Sequence, residues 1–167
     1  MSYHIRMDNA DIVLRPIGWV RSPVKGLRED YWSAITSEIC LDETTFGPDA
    51  LQGLGDFSHI EVLFFFHAVR DETIVKGSRH PRGNPDWPLT GIFAQRGKNR
   101  PNKIGATICR LVSVQGLTIK VQGLDALDGS PVLDVKPLFA EFVPERASIR
   151  QPAWSHELMK DYFADIP

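Results

Sequence analysis

"HIEVLFFFH", residues 59–67, is a short apolar run with three consecutive phenylalanines, set between the loop-like "GLGDFS" and a charged segment. A run of this length, rich in β-branched and aromatic residues and bounded by turn signals, reads as a strand. Its near-continuous apolarity predicts burial on both faces, as the central strand of a sheet. Upstream, "DIVLRPIGWVRS" is β-rich but carries Pro16, which predicts an edge strand or a bulge. "SAITSEICL" predicts a second strand, with Ile35, Ile39 and Leu41 on one parity. Downstream, "RDETIVKGSRHPRGNPDWPLT" holds Pro81, Pro85 and Pro88 with Gly77 and Gly83, and predicts a long, largely irregular surface loop. Loops that long in a compact domain are commonly functional or mobile.

Three further strand-like pieces follow, "TGIFAQ", "GATICRLVSV" and "LTIKVQ". The last alternates, with Leu117, Ile119 and Val121 inward and Thr118, Lys120 and Gln122 outward. "SPVLDVKP" closes the series and is entered through the turn dipeptide Asp128-Gly129. Only "PAWSHELMKDYF" reads as helical, with Trp154, Leu158 and Met159 at helical spacing and Pro152 near its start. Several short strands with turn signals between them argue for a mainly β, closed sheet with a few short helices, one of them near the C-terminus, rather than a βαβ winding.

The chain has 167 residues, 43% of them hydrophobic, enough for one sizeable core and one domain over residues 1–167. It contains no uninterrupted apolar run of the ~18 residues that a membrane span needs. "MSYHIRMDNADIVL" lacks the apolar stretch of a signal peptide, so a cytoplasmic protein is expected. Cys40 and Cys109 lie in separate apolar runs with no CxxC pair and are expected to be buried, reduced, small hydrophobes.

Net charge is -2, but its distribution is uneven. Between Lys76 and Lys103 stand Lys76, Arg79, Arg82, Arg96, Lys98, Arg100 and Lys103 against Asp86 alone. Much of this charge falls in "FAQRGKNRPNKIG", residues 93–105, a local candidate for anion binding. The opposite cluster, "GLDALDGSPVLDVKP", places Asp125, Asp128 and Asp134 beside the turn glycines Gly123 and Gly129. Two readings of the first two carboxylates stand side by side: Asx-turns that shape the loop, or acceptors for sugar hydroxyls and ammonium groups.

Other chemistries are eliminated. "GLGDFS" lacks a third glycine and precedes a strand instead of following one, against a dinucleotide loop, and no P-loop is present. His4, His59, His67, His80 and His156 show no paired ligand spacing, so no metal site is expected. No GxSxG elbow supports nucleophilic catalysis.

Four stretches, "IGWVRSPV", "FSHIEVLFFFH", "GIFAQRGKNRPNKIGAT" and "VQGLDALDGSPVLDVKP", in this order and at these separations, resemble the TsaA-like family, whose best characterised members are the TrmO-type tRNA methyltransferases. The resemblance covers about residues 14–144, with residues 152–163 as a helical extension. It implies a single β-barrel domain that binds S-adenosylmethionine, usually as a homodimer with the cofactor near the subunit interface. The implied reaction methylates the modified exocyclic nitrogen of a threonylcarbamoyl-adenosine beside the tRNA anticodon. Carried over by motif, the implied cofactor contacts are Ser22, Pro23 and Val24 of "RSPV", His67 and Ala68, Arg96 of "FAQR", Arg100, Asn102 and Ile108 of "RPNKIGATI", and Asp125, Ala126, Leu127 and Asp128.

Such a ligand needs cations, carboxylates, backbone groups and an apolar wall together, and the carried-over residues supply each. Methyl transfer from a sulfonium to nitrogen is an in-line displacement, in which alignment and desolvation supply most of the acceleration. A general base is not obligatory; where one is needed, Asp134 or His67 is the expected residue. Lys136 in "DVKP" either meets substrate or pairs with Asp134. Arg79, Arg82, Lys98 and Lys103 are expected to form an outer basic rim suited to RNA phosphates. The family tends to read Thr-Arg-Ser-Pro and Pro-Ile-Gly where this chain has Gln95-Arg96-Gly97-Lys98 and Lys103-Ile104-Gly105, so the arginine persists while its neighbours change. The longer bacterial members continue into a C-terminal domain, which is not expected after "KDYF". The competing expectation is a barrel that holds S-adenosylmethionine as a sensor, or one that methylates a small molecule.

Overall fold

The computed structural model describes residues 12–165. His4, and Asp11 at the head of the first predicted strand, lie outside the described residues. The strands are β1 (Gly18–Arg21), β2 (Thr36–Leu41), β3 (His59–Phe65), β4 (Ser78–Arg79), β5 (Thr90–Gly91), β6 (Ile104–Gln115), β7 (Thr118–Gln122) and β8 (Pro131–Pro137). One α-helix, α1 (Ala153–Met159), and several 3-10 turns accompany them. Six strands close an antiparallel barrel in the order β1-β2-β7-β6-β3-β8, with β8 returning to β1, while β4 and β5 form a separate ribbon. The mainly β, closed architecture expected from the sequence is therefore present.

Alternation fills the barrel. Val20, Ile39, Ile60, Val62, Phe64, Ile119, Val121 and Val132 point inward from five of the strands and meet in one core. β3 corrects the expectation drawn from its apolar run: Ile60, Val62 and Phe64 are buried, but Glu61, Leu63 and Phe65 are only half-buried. A small barrel has one inside, so a strand in it cannot be buried on both faces. Opposite Phe64 in register is Gly105, where an added Cβ would stand 2.5 Å from the phenyl ring. The ring occupies the space that a side chain at 105 would need.

Pro16 stands outside the sheet rather than at its edge. β1 begins at Gly18 and pairs with both β2 and β8, because closure leaves no edge. "TGIFAQ" is not a strand of the barrel either. Only Thr90–Gly91 pairs, with β4, and a 3-10 turn over Ile92–Ala94 follows. The Gln95 amide donates to the Thr90 and Arg79 carbonyls, so a buried polar side chain holds this turn in place of a ladder. The long proline-rich segment is otherwise as irregular as its composition predicts. Both cysteines are free; Cys109 is buried, whereas Cys40 is only half-buried. No helix among the described residues is long and apolar enough to cross a membrane.

Strand direction decides where the connections lie. Since neighbouring strands are antiparallel, residues 22–35, 66–103 and 123–130 all emerge at one end of the barrel, and residues 42–58 at the other. After β8 the chain leaves at that far end, passes through α1 and returns to the first. There Tyr31 N–H donates to the Asp161 carbonyl at 2.9 Å, Trp32 N–H to the Tyr162 carbonyl at 2.8 Å, and Ser33 Oγ to the Ala164 carbonyl at 2.9 Å. Trp87 Nε1 donates to Glu157 Oε2 at 2.8 Å, so the C-terminal segment is strapped to the long loop as well.

Candidate functional site

The end of the barrel that receives residues 22–35, 66–103 and 123–130 gathers most of the motif residues, in two clusters. The first joins β1 to the acidic turn. Ser22 N–H donates to Asp128 Oδ1 at 2.9 Å, Asp128 N–H to the Val24 carbonyl at 2.8 Å, and Gly129 N–H to the Val20 carbonyl at 2.8 Å. Asp128 thus clasps the segment after β1 instead of closing an Asx-turn of its own, and Gly129 takes the positive φ of 76° that the turn demands. Pro23 is exposed beside this clasp. His67, exposed just beyond β3, shares a 3.3 Å hydrogen bond through Nδ1 with Ser130 Oγ, a buried hydroxyl two residues past Asp128.

The second cluster centres on Asp125. Its Oδ1 accepts from Thr107 Oγ1, and its Oδ2 accepts from the Tyr162 hydroxyl. Burial, then the Asp125 charge and hydrogen bond, push the Tyr162 phenol far above its ordinary range, and the nearby cations Arg82 and Arg96 oppose that rise. Burial, with Asp125 second, also pushes the Cys109 thiol up to about 12, so it stays protonated and inert at neutral pH. Arg96 is exposed and donates through Nη2 to the Ala106 carbonyl at 2.7 Å. Arg100 donates to the Gln95 carbonyl at 3.1 Å and folds the basic loop back on itself. An arginine has five N–H donors, so each keeps several for a ligand. Ile108, two residues beyond Ala106, stands 47% exposed on the outer face of β6 and offers an apolar wall. Ala126 is buried in the core and Leu127 half-buried, so these two present mainly backbone; Ala68 is exposed. Asn102 is exposed at a left-handed φ of 64° in the turn that enters β6.

Other motif residues are placed elsewhere. Asp134 lies four residues along β8 from Ser130, roughly 13 Å at about 3.3 Å per residue. It faces out of the barrel and accepts from Lys136 Nζ and from Val135 N–H. His67 and Asp134 are therefore not brought together, and Lys136 has Asp134 for a partner. The four rim cations also differ from one another. Arg82 pairs with Asp30 at 2.7 and 3.1 Å, and Lys103 with Asp71 at 2.6 Å while its side chain is only 17% exposed. Arg79 is half-buried, reaches Asn99 at 3.5 Å, and lies so close to Gly97 that a Cβ there would stand 2.7 Å from its guanidinium. Lys98 is exposed, with no hydrogen bond or ion pair among the described residues.

Thr107, Ser130 and Tyr162 are the site residues that sequence reasoning did not single out. Thr107 and Ser130 lie inside quoted motifs, but Tyr162 carries no local signal, since it meets Asp125 across 37 residues. A cavity of about 420 Å³ sits at the opposite end of the barrel, lined by Leu41, Phe46, Leu51, Leu54, Phe57 and Ile119 among others. No titratable side chain lines it, so the polar loop end, not this cavity, defines the candidate site. Among the described residues no group of three or more His, Cys, Asp or Glu side chains could hold a metal ion.

A closed six-stranded barrel with clustered cations and carboxylates at one end is the class of protein that fold and site define. The family model of the tRNA-methyltransferase O N-terminal domain matches residues 27–143, and the chain belongs to that family. A "Probable S-adenosyl-L-methionine-binding protein" of Methanothermobacter thermautotrophicus is 37% identical over 143 residues, covering 81% of this chain and 96% of the relative. A tRNA (adenine(37)-N6)-methyltransferase of Mus musculus is 39% identical over 151 residues, 86% of this chain but 35% of the relative. A solved crystal structure of TrmO superposes with a TM-score of 0.67 at 31% identity, over 85% of this chain and 64% of that one. The chain thus spans about a third of the mouse relative and somewhat under two thirds of the solved structure.

Proposed function

We propose that this chain is a methyltransferase that binds S-adenosylmethionine at the loop end of the barrel and methylates the exocyclic nitrogen of threonylcarbamoyl-adenosine beside a tRNA anticodon. The observation that carries the reading is the convergence of Ser22–Val24, His67, Arg96 and Arg100, and Asp125–Asp128 at one end of the barrel, from four separate stretches. Relatives named as S-adenosyl-L-methionine-binding proteins and as tRNA methyltransferases support it. The donor set fits the cofactor: Arg96 and Arg100 suit its carboxylate, Asp125 and Asp128 its ribose diol or amine, and Ile108 an apolar edge. When bound, the cofactor supplies an electrophilic methyl group on a sulfonium. The chain's own part is to hold and orient, through a clasped Asp128 and an Asp125 fixed at both oxygens, and to exclude water from the reacting atoms.

His67, with Ser130 on Nδ1, is better placed than Asp134 to take a proton at this end of the barrel, and we assign any base role to it. Lys98 is the rim cation freest to meet a phosphate, with Arg82 and Lys103 contributing field from within their ion pairs and half-buried Arg79 from beside Asn99. We read the described residues as one cytoplasmic domain with a helical extension, working as a homodimer. Ile108, 47% exposed on the outer face of β6, leaves apolar area near the site for a second copy to cover, and Val112 at 48% continues it down the strand. A second reading, a cofactor-binding barrel without transfer, is favoured by the Methanothermobacter thermautotrophicus relative, whose length this chain nearly spans.

Calorimetric titration with S-adenosylmethionine, S-adenosylhomocysteine and ATP tests the cofactor site; we expect the first two to bind and ATP not to. Incubation with labelled cofactor and tRNA from cells lacking this protein tests transfer. Binding without label in tRNA would leave the second reading standing, and no binding at all would overturn both.

A further inference from the structure

Building on the methyl-donor reading, we infer that Tyr162 is a positioning residue of the cofactor site: the C-terminal strap carries its hydroxyl to Asp125 and holds that carboxylate in the orientation a ligand hydroxyl or ammonium meets. Tyr162 lies outside the family-matched residues 27–143, so the family match by itself does not assign it a role at the site. The carboxylate receives one hydroxyl on each oxygen, Thr107 from the buried face of β6 and Tyr162 from the strap. Two donors on opposite oxygens fix its plane. Each oxygen has a second lone pair, so the carboxylate keeps an acceptor position on either side for a ligand.

The strap itself is held independently of Asp125. Its anchors are the backbone bonds from Tyr31 and Trp32, the Ser33 hydroxyl, and the Trp87–Glu157 contact, while the Tyr162 ring packs edge-on to Phe163 at 4.9 Å. Half-buried against the barrel, the phenol stays protonated at neutral pH and remains a donor. The charges of Arg82 and Arg96 oppose the rise in the Tyr162 pKa.

Removing the hydroxyl alone tests this, because Tyr162→Phe keeps the ring and its packing. Calorimetry with S-adenosylmethionine and S-adenosylhomocysteine is run on the parent, Tyr162→Phe, Asp125→Asn, the double variant and Trp87→Phe, with thermal unfolding alongside. The expected result is a loss of roughly tenfold in affinity for Tyr162→Phe, the scale of a hydrogen bond to a charged group. No further loss is expected in the Asp125→Asn background, and Trp87→Phe, which removes one distant anchor while the bonds from Tyr31, Trp32 and Ser33 still hold Tyr162 in place, should bind as the parent does. Unchanged affinity in a folded Tyr162→Phe would overturn the inference. So would tighter binding, which would mean that the hydroxyl competes with the ligand. An equal loss in Trp87→Phe, or a loss that persists without the carboxylate, would reduce Tyr162 to a structural role. A parent that binds neither compound would remove the methyl-donor reading and this inference together, whereas binding by the parent and equal binding by Tyr162→Phe removes the inference alone.

Discussion

Arg96 is the residue on which the cofactor reading leans most. It is an exposed cation held by one bond to the Ala106 carbonyl, beside the Asp125 and Tyr162 pair. We expect Arg96→Ala to weaken S-adenosylmethionine binding by about tenfold or more, since hydrogen bonds to charged groups are worth roughly 1.5–3 kcal/mol. A dissociation constant equal to the parent's would remove Arg96 from the site. Gly105 poses a packing question at the same scale. Because a Cβ at this position would meet the Phe64 ring at 2.5 Å, Gly105→Ala should cost about 1–3 kcal/mol, as overpacked cores do. Denaturant titration would show it, and Phe64→Leu in the same chain should recover part of the loss. No destabilisation would mean that the two strands can move apart.

The elements decide which cations are available. The basic loop before β6 looks in the sequence like a run of free positive charge, yet the folded chain pairs Lys103 with Asp71 and Arg82 with Asp30. Lys98 is left as the cleanest probe of an RNA surface. Lys98→Ala should weaken tRNA binding and lower the slope of log affinity against log salt by up to about one, while cofactor affinity stays at the parent's value. An unaltered slope in a gel-shift series would take this loop out of the RNA surface. Lys103→Ala should instead destabilise the fold, because it leaves the Val69 carbonyl and Asp71 without their donor. The strap is legible only at this level too. Tyr31 and Arg82 sit in left-handed backbone at φ 62° and 50°, and both take part in the contacts among residues 28–33, the long loop and the C-terminal segment.

For the whole molecule, two weak acids held away from water, buried Cys109 and half-buried Tyr162, contribute to the alkaline response. Cys109 has its folded pKa raised from 9.0 to about 12, and Tyr162 is raised above its ordinary 10.0. Both are neutral when folded and ionise more readily when unfolded, so their contribution is intact below pH 9 and is lost as pH rises from there toward 12. We expect urea midpoints to fall between about pH 9 and pH 12, and Cys109→Ala to flatten part of that fall. A midpoint independent of pH over this range would mean that neither group is held as the fold describes. Tyr162→Phe should flatten the part above about pH 10.

The sequence by itself determined most of the strands, though not the fate of "TGIFAQ", together with the turn at Asp128-Gly129, the irregular proline-rich segment, and most of the residues that gather at one end of the barrel. These are local signals: alternation, turn chemistry and motif spacing act over a few residues. It misled where the outcome depends on neighbours brought in from afar. The apolar run of β3 reads as two-sided burial, but only barrel closure says which face is inside; Pro16 reads as an edge, but closure leaves none. The tertiary structure alone decided that Asp128 clasps Ser22, that Asp134 faces away from His67, that two rim cations are already ion-paired, and that Tyr162 reaches Asp125. Each of those depends on the order β1-β2-β7-β6-β3-β8 and on the path of the returning strap. Contacts across tens of residues are selected by the global packing of the chain, and no local pattern encodes them.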